Sequence, residues 1–153
     1  MSQMYFDKKC FLVLLTWAGV LCVAVAVYYP GLDGPFLFDD FGSLARLGEL
    51  GGVIDWRTFK VFVIEGTTGP TGRPISMLSF LLDGSTWPSD PWPFKRTNLV
   101  IHLLSGSLLV VALSKILFIL NGLRVHSARE YWIVVAVASA WLLHPFLIST
   151  TFY

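Results

Sequence analysis

Charge is scarce in this 153-residue sequence: 14% of its residues are charged, against about 25% in soluble domains. Its 11 basic side chains nearly cancel its 10 acidic ones, for a formal net charge of +1, so it lacks the basic stripe that neutralises nucleic-acid phosphates. Cysteine is also nearly missing. Cys10 and Cys22 share one apolar run and would sit about 18 Å apart on a helix, beyond the roughly 7 Å reach of a disulfide. Missing too are a Walker loop, GxGxxG, CxxC, HExxH and GxSxG. Nucleotide hydrolysis, dinucleotide binding, zinc proteolysis and α/β-hydrolase chemistry therefore have no motif to rest on.

What fills the chain is apolar: 55% hydrophobic residues, 15% aromatic, and a mean hydropathy of +0.68. A helix needs about 20 mostly apolar residues to cross a bilayer, and three runs qualify. The first, 10–29, follows Lys8-Lys9 and has no charge. A signal peptide begins in the same way, with Ala24-Val25-Ala26 as its cleavage spacing, but the run outlasts the roughly 7 to 15 residues of such a core. The second, 97–120, is broken only by His102 and by Lys115, whose stem can reach the headgroups. The third, 131–149, contains His144. The pattern predicts an all-α integral membrane protein with three transmembrane helices and a long outer loop carrying short amphipathic or interfacial helices.

Basic residues in short flanking segments set orientation. Lys8 and Lys9 in 1–9, and Arg124 and Arg129 in the connector 121–130, put those segments in the cytoplasm. The loop 30–96 and the end, 150–153, then lie outside, periplasmic in a bacterial inner membrane or lumenal in the endoplasmic reticulum, the bacterial setting being preferred.

That loop is too long for a plain connection and too rich in Phe, Trp, Leu and Ile for disorder. Ser43 is expected to cap a short helix with Leu44, Leu47 and Leu50 on one side. Asp55 is expected to cap a second one reaching about Glu65, with Trp56, Phe59 and Val63 on one face. Both have the pattern of segments that lie on a bilayer surface. The turn-rich stretch 66–72 precedes Arg73-Pro74, and Pro74 is suited to open the next helix. Trp87 and Trp92, among prolines, read as interfacial tryptophans.

Polar residues converge on the outer boundary. Asp39-Asp40 follow the first span, while His102 and His144 each lie about five residues, or 7 to 8 Å, inside the outer end of their spans. Ionisable groups at membrane depth usually mark a site. Paired carboxylates suit a general base or a divalent cation, and Arg73, Lys95 and Arg96 supply cations where a lipid-linked phosphate would lie. Each element has a plainer reading: a turn and helix start for Asp39-Asp40, a backbone-bonded histidine for His102, a helix terminus for His144-Pro145, and headgroup contacts for Lys95-Arg96. A four-ligand metal site of both acids and both histidines is the weaker alternative, because no spacing fixes its geometry.

The order GPFLFDDF, TGRPISMLSFLLD, FKRTNLVIHLLSG and WLLHPFLISTTFY resembles the N-terminal part of the GT-C membrane glycosyltransferases. It is most similar to the branch of protein O-mannosyltransferases with C-terminal tetratricopeptide repeats and their bacterial relatives. The resemblance runs from about residue 10 to the end. It implies an enzyme that takes a sugar from a polyprenyl-phosphate carrier and attaches it to an acceptor outside the cytoplasm. It also implies a catalytic acidic residue in the first outer loop, matched by Asp39 and Asp40, with Asp40 preferred. Arg73, Lys95 and Arg96 would contact the carrier phosphate, and Asn98, His102 and His144 would be supporting polar groups. Any divalent cation would fall to Asp39 and Asp40. Family members have many more spans, so the chain is expected to be an N-terminal fragment, inactive unless further helices, from its own frame or a protein partner, complete it. The alternative is a small three-span membrane protein that scaffolds or modulates a larger complex. A transporter is a distant third, since three spans cannot form an alternating-access pair of repeats.

Overall fold

The computed structural model describes residues 2–37, 39–65, 73–122 and 127–152, apart from the side chains of 2–10, 39, 128, 149 and 150. The turn expected at 66–72, Arg124 and the side chains of Lys8, Lys9 and Cys10 lie outside the described residues. Every regular element among the described residues is helical: α1 (Ser2–Tyr28), a 3₁₀ turn at Tyr29–Gly31, α2 (Asp39–Glu49), α3 (Trp56–Val63), α4 (Pro74–Phe80), α5 (Pro91–Leu120), α6 (Ala128–Leu142) and α7 (Leu147–Phe152). Two stretches, Phe11–Gly31 and Pro91–Leu120, are helical, long and apolar enough to cross a membrane. The chain divides into two units, Met1–Pro30 with Leu99–Thr150, and Gly31–Asn98 with Thr151–Tyr153.

In the first unit the interior sets small residues among larger ones such as Trp17, Tyr28, Leu99, His102 and Leu142. Ala24 and Ala138 are fully buried, and a methyl placed on Gly106 would sit 2.8 Å from Leu142 Cδ1. Small side chains at such positions let helix backbones approach closely, which is how helices associate where lipid removes the hydrophobic drive. Trp17 Nε1 donates to Ser107 Oγ at 3.2 Å. Many other large apolar residues face outward, among them Phe11, Leu15, Leu108, Ile119 and Leu120. An apolar shell of this extent is compatible with lipid and rare on water-facing monomers.

The expected third run, 131–149, is not one continuous helix. α6 has 15 residues, or about 22 Å, against a hydrocarbon core of about 30 Å. The break at 143–146 follows from Pro145, which disfavours helical geometry at His144 and has no N–H to give the carbonyl of Trp141. That carbonyl accepts instead from His144 N–H at 3.2 Å. The Phe146 N–H turns to His144 Nδ1 at 3.2 Å, leaving the Leu142 carbonyl to partners from other helices.

The second unit has its own core: Leu44 and Leu47 of α2, Phe62 and Val63 of α3, Met77 of α4 and Phe94 of α5. Burying each Leu or Phe stabilises such a cluster by about 1.5–3 kcal/mol. The leucine stripe of α2 therefore packs inward, correcting the expectation that it lies on a bilayer surface. Trp87 likewise packs on Phe36 and Phe41, with ring centroids 5.0 and 5.8 Å away. α2 also begins at Asp39 rather than after Ser43. Two carboxylates in the first turn favour a helix N-terminus, and Asp40 bonds back to Leu37 through both its N–H and its carboxylate. The helix stops at Gly51, whose φ of 67° suits glycine. Gly52 N–H then reaches Leu47 O and Gly51 N–H reaches Gly48 O, a Schellman closure. Asp55 caps α3 as expected, in a reciprocal box with Thr58, and Pro74 opens α4.

Candidate functional site

Asp40 sits in the first turn of α2, where its Oδ2 accepts from Leu37 N–H at 2.9 Å and its own N–H donates to Leu37 O at 2.8 Å. The side chain is thus held at the helix start rather than swinging freely beyond it. The Asp39 side chain lies outside the described residues. Among the described residues, no group of three or more His, Cys, Asp or Glu gathers closely enough to hold a metal ion.

The three expected phosphate contacts occupy different settings within the second unit. Arg73 is exposed ahead of α4, where its carbonyl accepts from Met77 N–H at 2.9 Å. Arg96 is about half exposed, lies over the Trp92 ring at 5.4 Å and is paired with Asp83 at 3.6 Å. Lys95, by contrast, is 3% exposed. Its Nζ donates to Gly34 O and to Pro35 O, both at 2.9 Å, and the Phe152 ring centroid is 5.8 Å away. With its donors turned onto the chain's own carbonyls, Lys95 does not offer a phosphate the exposed contact that Arg73 and Arg96 do. Asn98 is half-buried on α5.

Sequence reading gave Asp83 no role beyond its charge. Its carboxyl is 2% exposed. Oδ1 accepts from Thr97 Oγ1 at 2.8 Å, while Oδ2 is buried without a hydrogen-bond partner. Asp83 closes an apolar segment and meets α5 fourteen positions later, a separation with no local sequence signature.

The histidines belong to the first unit. His102 is 8% exposed, and its Nε2 lies 2.9 Å from Leu142 O. A carbonyl only accepts, so Nε2 carries the hydrogen. Tyr28 Oη donates to the same carbonyl at 3.2 Å, and the rings of Tyr28 and Trp141 each lie 5.3 Å from the imidazole. Tyr28 was missed because it reads as the interfacial end of an apolar run. His144 is exposed at the α6 break. Both histidines are thus engaged in closing a broken helix end, the plainer of the readings their sequence context allows.

Compared with models of protein families, with curated proteins and with solved structures, the chain matches none.

Proposed function

We propose that the chain is the N-terminal, membrane-embedded part of a polytopic glycosyltransferase of the GT-C kind, moving a sugar from a polyprenyl-phosphate carrier to an acceptor outside the cytoplasm. In this reading α1, α5 and the broken stretch 131–149 cross the membrane, and the second unit lies on the outer face of a bacterial inner membrane. The exposed Ile54, Trp56, Ile75, Leu78 and Leu82 of that unit then contact the lipid interface. The observation that carries the reading is the anchored Asp40, a carboxylate fixed at a helix start in the same unit as two exposed guanidinium groups. Asp40 acts as general base or positions the acceptor, and Arg73 and Arg96 contact the carrier phosphate.

The test is sugar transfer from a polyprenyl-phosphate donor, measured in membranes carrying the chain in its natural reading frame. Asp40→Asn keeps an oxygen that can accept from Leu37 N–H, so the helix start survives while the base is lost. Transfer falls by about 10²-fold or more. Near-normal transfer by both Asp40→Asn and Asp39→Asn would remove the assignment.

A second reading, a non-enzymatic scaffold for a larger complex, draws support from the structural use of Asp40, His102 and His144. Stable co-purification of one partner, with no binding of lipid-linked sugar, would favour it.

A further inference from the structure

Lys95 is a buried cation in a unit whose other candidate cations, Arg73 and Arg96, face outward. An ammonium out of water is costly unless hydrogen-bonded, and packing alone would be served by a leucine or methionine. The two carbonyls that hold it, Gly34 O and Pro35 O, stand 61 and 60 positions earlier in the chain. They stand at the start of an irregular strap, residues 35–37, ahead of α2. Leu37, at the end of this strap, exchanges two hydrogen bonds with Asp40. The ammonium thus holds one end of the backbone segment 34–37 through the Gly34 and Pro35 carbonyls, and Asp40 holds the other end at Leu37.

Close packing holds the arrangement in place. A methyl on Gly34 would come 2.9 Å from Lys95 Nζ, and one on Gly31 would come 2.5 Å from the Phe152 ring. That ring also approaches the ammonium. Glycine at 34 therefore permits the ammonium to reach the strap.

We infer that Lys95 is a positioning residue for Asp40, pinning the strap that presents this carboxylate, rather than a contact for the carrier phosphate. This rests on the proposed function only for what Asp40 does; the mechanical link between the two residues stands apart from it.

The experiment is hydrogen exchange on the full chain in membranes or detergent, comparing wild type, Lys95→Met, Gly34→Ala and the double variant. Exchange at the Leu37 and Asp40 amides is expected to quicken by about tenfold in either single variant. The double variant goes no further, because both changes break one link. The α3 amides behind the Asp55 cap keep their protection. In the transfer assay Lys95→Met lowers kcat as Asp40→Asn does while changing the donor KM by less than about threefold, whereas Arg96→Met raises that KM.

Unchanged exchange at Leu37 and Asp40 in Lys95→Met overturns the inference, as does loosening spread equally to α3, which would make Lys95 a general packing residue. A raised donor KM with kcat unchanged in that variant also overturns it, returning Lys95 to the phosphate. Local loosening with no sugar transfer in any variant, wild type included, overturns the glycosyltransferase reading and leaves the Lys95–Asp40 link in place.

Discussion

The carbonyl of Leu142 shows how one buried acceptor recruits residues from two other helices. Its usual donor four positions on is engaged by His144 Nδ1, and it accepts from His102 and Tyr28 instead. Each donor covers for the other, so the two single losses are mild and the joint loss is severe. His102→Leu and Tyr28→Phe are each expected to cost about 1 kcal/mol, and the double variant more than the sum, by about 1–2 kcal/mol, because only then is a buried carbonyl left bare. Thermal unfolding in detergent measures this, and strictly additive losses would mean the carbonyl finds another donor. A polar contact for His102 could be anticipated from its type, since an imidazole in an apolar helix needs a partner. The partner could not, being forty positions away. The burial of Lys95 and Asp83 was not legible for the same reason: their partners are separated in sequence, and a charged residue near a span end looks solvated until the loop folds over it.

Helix boundaries were more legible than faces. Asp55 reads as a cap because its carboxylate can reach an N–H that the first turn leaves free, a purely local matter. The same local rule marks Ser127 and Glu130, whose side chains close a reciprocal box at the start of α6, although reading 121–130 only as a charged connector passed over it. α2 was misplaced because Ser43 and Asp39 both satisfy the rule, and the choice fell to contacts with Leu37. Its leucine stripe was correctly identified as a face, but periodicity does not say whether bilayer or protein covers it. The Asp55 cap carries a pH dependence. Hydrogen bonds from the Thr58 backbone and hydroxyl hold its carboxyl below the usual carboxylate range. Being depressed in the folded chain, it contributes protection fully above the ordinary carboxylate pKa and loses it as pH falls through the folded value. Exchange in the first turn of α3 is therefore expected to be steady at neutral pH and to quicken, beyond the intrinsic trend, only in acid. Asp55→Asn should abolish that extra acid dependence, and its persistence would place the titrating group elsewhere.

For the whole molecule, the question is which side of a bilayer each unit meets. Two helices are long and apolar enough to cross, and they leave many large apolar side chains exposed, among them Phe11, Leu15, Leu108 and Ile119. The proposed transfer to an acceptor outside the cytoplasm predicts that the second unit meets the outer face. The basic residues Lys8, Lys9, Arg124 and Arg129 argue for the same orientation. Replacing Cys10 and Cys22 by serine and introducing single cysteines at Glu49, Asn121 and Phe146, all exposed positions, makes this measurable with a membrane-impermeant maleimide on intact cells. Glu49→Cys is expected to label from outside and Asn121→Cys only after permeabilisation. Phe146→Cys tests the third crossing: α6 alone falls short of the hydrocarbon core, so a span over residues 131–149 has to include the break at 143–146, with water or protein satisfying its backbone and Phe146 toward the outer side. Labelling from outside at Phe146 therefore makes the broken stretch a true span. Protection matching that of Asn121 would make α6 re-entrant. Inversion of Glu49 and Asn121 would remove the orientation and, with it, any access of Asp40 to an outer-face carrier.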